Sequence, residues 1–256
     1  LINNTAQIDP SAKIADDVSI GPWTVIGPDV EIGAGTVIGP HVVLKGPTSI
    51  GTNNHIYQFA SVGEDCQDKK YHGEKTRLVI GNNNVIREGC TVHRGTTQDQ
   101  CVTRIGDNNL FMVNVHIAHD VVVGSDTVMA NNVTIAGHVH VGDFAVLGGF
   151  CGIHQFCRVG AHSMCGAGSI VVKDVAAFVT ISGSPVKTHG VNKEGLRRRG
   201  FEKEAVSALH QAYKIIFRRG LTVKRAIEQI RQLEYQGPEL EVLIESILES
   251  SRGIVR

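Results

Sequence analysis

The chain has 256 residues, of which 42% are hydrophobic, 20% charged and only 5% aromatic, and its 25 basic residues balance its 25 acidic ones. Net charge therefore makes no case for a nucleic-acid or membrane-surface partner. No basic-then-apolar leader and no apolar run of membrane length is visible, and the six cysteines are scattered without a C-x-x-C pair, so reduced thiols and a cytoplasmic location are expected.

From the N-terminus, an aliphatic residue recurs at every sixth position: Ile8, Ile14, Ile20, Ile26, Ile32, Ile38, Leu44, Ile50, Ile56 and Val62. Six is not a helical period. It is even, so an extended chain keeps these side chains on one face and can insert a turn each time. This hexapeptide repeat predicts short parallel strands stacked in coils, a β-helix. Asp68 and Glu74 fall where interior aliphatics are due, so residues 64–76 are predicted to leave the coil as a loop. The register resumes at Ile80, Ile86 and Val92. A second loop over 95–102 shifts it by one residue, and it then runs from Ile105 to Val171. Loops that interrupt a solenoid often lie on one face and carry binding groups.

After Pro185 the spacing turns helical. Val206, Leu209, Tyr213, Ile216 and Phe217 share a face, Gly220 stops that segment, Thr222 can cap a second helix, and Pro238 suits the first turn of a third. The expected organisation is mainly β: a parallel β-helix over 1–188 with its two loops, then a helical domain over 189–256. Spacing alone does not give the hand of the coil.

Twelve histidines are present. Three hexapeptides make one turn, so residues about eighteen apart lie above one another. His119, His138 and His154 should then occupy one edge of the prism on successive coils, and His116 points outward beside the inward Ile117. Two chemistries suit such a band. One is a zinc site with three protein ligands and water, of the kind β-helix carbonic anhydrases carry. The other is general-base catalysis by a neutral imidazole, with Asp120 beside His119 to orient it. His41, His55, His72, His189 and His210 read as ordinary surface residues.

Residues 114–120 (Asn-Val-His-Ile-Ala-His-Asp), Ala136-Gly137-His138 and His154-Gln155-Phe156-Cys157 closely resemble the UDP-N-acetylglucosamine O-acyltransferases, which act first in lipid A synthesis. So do residues 56–64, Ile86-Arg87-Glu88, residues 92–96, residues 190–201 and Ser251-Arg252-Gly253, which extends the likeness over essentially the whole chain. The resemblance implies a left-handed β-helix and a homotrimer with active sites between subunits. It also implies transfer of a 3-hydroxyacyl chain from acyl carrier protein to the 3-hydroxyl of the sugar nucleotide. By position, His119 matches the base, Asp120 the residue that orients it, and Gly137 the backbone N–H that meets the thioester oxygen.

Asp68 and Lys70 match sugar-nucleotide contacts. His116, His138, His154 and Gln155 match the sugar and acyl-pantetheine groove, and Asn192, Glu194 and Arg198 match the uridine-diphosphate end. Ala167 matches the position that limits acyl length, and the basic Arg197, Arg198, Arg199, Lys214, Arg218 and Arg219 suit an acidic carrier protein. No metal or cofactor is implied, which counts against zinc. Lys69 departs from the family pattern, where an apolar residue precedes the lysine. A variant that acylates a 3-amino sugar, and a non-catalytic trimeric scaffold, are the further alternatives.

Overall fold

A computed structural model describes residues 1–256. The hexapeptide strands fall into three sheets that form the sides of a triangular prism, wound left-handed. The first sheet has nine strands, from Gln7–Ile8 to Ile170–Val171; the second has eight, from Lys13–Ile14 to Arg158–Val159; the third has ten, beginning at Ser19–Ile20. Pairing is parallel along every regular coil, and Ile8 stands beside Ile26, one eighteen-residue turn away. Each inward aliphatic therefore packs on its counterparts above and below. From Ile20 to Val171 the predicted interior positions are buried, and most are no more than a few per cent exposed. Ile8 and Ile14, at the open lower end, are only partly buried.

The corners carry constraints that periodicity does not show. A Cβ on Gly33 would lie 2.7 Å from the Gly51 backbone on the coil above, so the glycine lets two corners stack. Eighteen non-glycine residues take positive φ, nearly all at the turns between sheets, and Asp120 (57°), His138 (61°) and Phe156 (66°) are among them. That conformation is costly for residues with a Cβ and persists only where the surroundings enforce it. On the edge between the second and third sheets, Asn54, Asn84 and Asn109 form a buried ladder. The Asn84 Oδ1 accepts from the backbone N–H and the side-chain amide of Asn109, both at 2.9 Å, and Asn84 in turn donates to the Asn54 Oδ1 and the Gly106 carbonyl.

Both predicted loops leave the prism at one edge, that between the first and second sheets. The first lies between strands Ser61–Glu64 and Arg77–Ile80, the second between Thr91–His93 and Val102–Ile105. The buried Arg94 guanidinium joins them, donating to the Gly63 carbonyl, to Asp65 and, at 3.2 Å, to the Tyr71 hydroxyl.

The upper end is closed by a hairpin and four helices. Strand Lys187–Val191 pairs antiparallel with Val179–Ser182, so strand structure runs past residue 188. Helices α1 (Lys193–Arg198), α2 (Lys203–Arg218), α3 (Val223–Ile230) and α4 (Pro238–Leu248) follow. Thr222 caps α3, accepting from the Arg225 N–H, and Pro238 sits in the first turn of α4. The C-terminus returns to the coil, where the fully buried Asp174 accepts from the Arg158 N–H, the Ser250 hydroxyl and the Arg252 N–H. The short α1 and the hairpin carry no periodic signal and are absent from the sequence-based expectation.

Truncating Asn84 to alanine strands the Asn109 backbone N–H and the Gly106 carbonyl inside the wall, while the Asn54 Oδ1 keeps the backbone N–H of residue 84. It should cost at least about 2 kcal/mol, at roughly 1–3 kcal/mol per unsatisfied group. Denaturant melts of the purified variant give this directly, and an unchanged midpoint would mean that water replaces the ladder.

Candidate active site

The edge between the first and second sheets collects the imidazoles. The turn from His116–Ile117 to Val122–Val123 carries His119 and Asp120. One coil up, the turn from Thr134–Ile135 to His140–Val141 carries Gly137 and His138. The next, from Gly152–Ile153 to Arg158–Val159, carries His154, Gln155 and Phe156. Parallel pairing sets these rungs roughly 4.8 Å apart, so side chains at equivalent places touch. The His119 and His138 rings meet edge to face at 5.0 Å, and His138 lies flat on Phe156 at 4.5 Å.

The His119 Nδ1 is 2.9 Å from the Asp120 Oδ2. Asp120 is almost fully buried, and every approach to it is filled. Thr96, from the second loop, donates its N–H to Oδ1 at 2.9 Å and its hydroxyl to Oδ2 at 2.6 Å, while the Asp120 N–H donates to the Thr103 hydroxyl at 2.8 Å. Burial alone would raise its pKa. Hydrogen bonds from His119 and Thr96 outweigh that and hold it below the usual carboxylate value. A carboxylate only accepts, so the His119 Nδ1 carries the hydrogen, and in the neutral ring it is Nε2 that presents the lone pair. That nitrogen lies over Gly137: a Cβ there would be 2.6 Å from Nε2 and 2.5 Å from Cε1. The Gly137 N–H donates to no acceptor within the chain.

Below this pair, the His116 Nδ1 meets the Thr91 hydroxyl at 2.7 Å, and its ring lies edge-on to the buried His93 at 5.1 Å. Burial, then the neighbouring His116, push the His93 pKa down to about 4; burial, then His119, lower that of His116. Both imidazoles next to the dyad are therefore neutral at neutral pH. His119, Asp120 and His138 each offer a ligand atom within 4.8 Å of the others, so the donor set alone does not discriminate against a metal.

The other candidates are dispersed. Asp68 and Lys70 lie in the first loop, where the Asp68 Oδ1 accepts the Lys70 N–H at 3.0 Å. The His154 Nδ1 rests 3.1 Å from the Gln155 carbonyl and does not contact the dyad. Asn192 is buried at the opposite edge, where its side chain caps α1 and donates to the His162 carbonyl at 2.9 Å. Glu194 is exposed and paired with Arg197 and Arg198, which bring its pKa down to about 2. Ala167 is exposed on the remaining edge, between Met164–Cys165 and Ile170–Val171. Single-chain geometry thus distributes these residues over three edges, and none of the five main concavities of the chain is lined by His119, Asp120 or His138. The sequence assigns no role to Thr96, Thr103, Arg94 or Asp99. Arg94 and Thr96 fall in the 92–96 segment that carries the resemblance, and for Thr103 and Asp99 the one available signal is position, in or beside the loop that breaks the coil where the histidines begin.

The hexapeptide transferase model matches residues 11–46 and 103–137, and the model described as UDP-N-acetylglucosamine O-acyltransferase, domain 2, matches 174–255. The acyl-[acyl-carrier-protein]–UDP-N-acetylglucosamine O-acyltransferase of Pseudomonas putida is 56% identical over 255 residues, covering 100% of this chain and 99% of its own. The solved structure of LpxA from Acinetobacter baumannii superposes with a TM-score of 0.97 at 56% identity, covering both chains completely. UDP-N-acetylglucosamine O-acyltransferase from Moraxella catarrhalis does so with a TM-score of 0.98 at 54% identity, covering 100% of this chain and 99% of its own.

Because folding keeps His93 neutral, the unfolded chain takes up its proton near pH 6.5 whereas the folded chain waits until about pH 4. Stability should fall as pH drops through that window. His93→Gln should flatten the slope of denaturation midpoint against pH between 6.5 and 4, leaving the parts due to His162, which burial and Arg199 also push down to about 4, and to His116, His140 and His210, which burial lowers as well. An unaltered slope would show that His93 does not contribute.

Proposed function

The chain belongs to the UDP-N-acetylglucosamine O-acyltransferase family, and from that membership we propose how its own residues divide the work. The activity is transfer of an acyl chain from acyl carrier protein to UDP-N-acetylglucosamine in lipid A biosynthesis. The relatives' names specify O-acylation with a carrier-protein donor, and neither a carbonic anhydrase nor acylation of an amine finds support.

In this reading the His119 Nε2 takes the proton of the sugar 3-hydroxyl as its oxygen attacks the thioester carbonyl carbon of a 3-hydroxyacyl carrier protein. Asp120, locked by Thr96, holds the Nδ1–H and stabilises the imidazolium that forms. The Gly137 N–H faces the developing oxyanion. The intermediate collapses with cleavage of the C–S bond, and the imidazolium returns its proton to the leaving pantetheine thiolate. The carrying observation is the free Nε2 lying directly over Gly137, which sets base and oxyanion donor side by side.

Asp68 and Lys70 reach the sugar nucleotide from the first loop. His116, His138, His154 and Gln155 line the groove. Glu194 and Arg198, on the α1 that Asn192 caps, take the uridine-diphosphate end, and the basic residues after residue 192 meet the carrier protein. These positions occupy three edges, so one chain cannot gather them, and a homotrimer that sets one chain's edge against another's can. The edge bearing Ala167 also exposes Trp23, Phe59 and Phe150, each at least 60% accessible in the single chain, the kind of apolar strip a partner covers. The cytoplasm is the compartment we propose. It suits six free thiols, and no helix is long and apolar enough to cross a membrane.

His119→Ala should lower turnover by roughly 10²–10⁴-fold with UDP-N-acetylglucosamine and 3-hydroxyacyl carrier protein. Gly137→Ala, which drives a methyl into the His119 ring, should fall into the same range without loss of fold by circular dichroism. Near-wild-type rates would remove both from the chemistry. Ala167→Met should shift preference toward shorter chains in a ladder of acyl donors, and an unmoved profile would remove Ala167 from the length-setting role.

A further inference from the structure

We propose that Asp99 is a positioning residue for the transfer reaction, acting through His138; the inference rests on the reading that His138 lines the reacting groove. Asp99 lies in the second loop, three residues after the Thr96 that holds Asp120. Its Oδ2 is 3.0 Å from the His138 Nδ1. The opposite nitrogen, Nε2, faces the dyad, 3.9 Å from the Asp120 Oδ2.

Two contacts define the ring, and they do different things. The stack on Phe156, with planes 10° apart, fixes the plane of the imidazole. It does not fix which edge points inward. A half-turn about the Cβ–Cγ bond stacks equally well, yet it exchanges Nδ1 with Cδ2 and Nε2 with Cε1. The flipped ring would show the reacting groove a carbon. Asp99 breaks that degeneracy, because only the observed orientation gives its carboxylate a partner. The carboxylate is acceptor-only, so it also fixes the tautomer by requiring hydrogen on Nδ1. The loop thereby sets both imidazoles: Thr96 through Asp120 to His119, and Asp99 directly to His138. The His138 side chain is only 11% exposed while that of Asp99 is 38% exposed, so the control is applied from outside to a group inside.

The test is steady-state kinetics of the full-length enzyme with UDP-N-acetylglucosamine and a 3-hydroxyacyl carrier protein. Asp99→Ala should lower kcat/KM between about tenfold and a hundredfold, the scale of a mispositioned reacting group, with an unchanged melting temperature. Asp99→Asn should recover most of that loss, since its amide oxygen still accepts the Nδ1–H. In imidazole ¹⁵N spectra, His138 should be an Nδ1–H species in the wild type and a mixture in Asp99→Ala. The double variant Asp99→Ala/His138→Ala should be no slower than His138→Ala alone. Wild-type rates in Asp99→Ala, an Asn variant as slow as Ala, or losses that multiply in the double variant would each overturn the inference while leaving the role of His138 intact. Wild-type rates in His138→Ala itself would take down the underlying reading as well.

Discussion

Parallel backbone pairing between successive coils is the interaction on which the rest depends. Along the regular coils it sets each residue beside the one eighteen positions earlier and the one eighteen later, and across the two loops beside residues 30 and 25 apart, at a spacing of roughly 4.8 Å. Inside the prism this turns a single aliphatic choice into a column of methyl contacts. At the corners it turns single polar choices into columns as well: buried asparagine on asparagine at one edge, imidazole on imidazole and phenylalanine at another. The proposed base and oxyanion donor need no specialised loop to bring them together. The pitch that packs Ile117 beneath Ile135 also sets Gly137 one coil above His119, against its ring.

The site is built on corners of the same kind as the rest of the prism. Asp120 and His138 are held with positive φ, where the neighbouring coils enforce what the isolated residues disfavour. The buried carboxylate is tolerable because its oxygens are filled by Thr96 and His119 and its own N–H by Thr103. Around it, burial keeps His93 and His116 uncharged, so the partner in closest contact with His119 is the one anion that orients it. The second loop supplies Thr96 and Asp99. Arg94, at its root, ties it to the first loop and so links the proposed sugar-nucleotide contacts to the dyad.

Much of this is readable in the sequence, for a physical reason. Burial at period six is unambiguous wherever it persists, and Asp68 and Glu74 mark the first excursion because a charge cannot occupy the column. The eighteen-residue turn follows from three sides of six, and it is enough to put His119, His138 and His154 on one edge. What stays hidden is contact between residues with no periodic relation. Thr96 reaches Asp120 across twenty-four positions through a loop whose path no pattern dictates. The reason for Gly137 is equally silent, because its φ is ordinary and only the His119 ring explains the missing Cβ. The antiparallel strand Lys187–Val191 and α1 escape notice because they are too short and irregular to show a period, and the αL corners held by Phe59, Phe144, Phe150, Phe156 and Phe178 because phenylalanine seldom marks such turns.

The prism has a lower end that is open and an upper end that is sealed by the hairpin, the helices and the returning C-terminus. Length and chemistry are consequently separable in this architecture. A whole turn gained or lost below the first loop would change how tall the molecule stands and leave the distance from His119 to Gly137 as it is. One residue gained between them would turn the inward side chains that follow outward. Evolution can therefore treat the base as adjustable masonry, while the few turns that bear the imidazoles must be inherited in register or not at all.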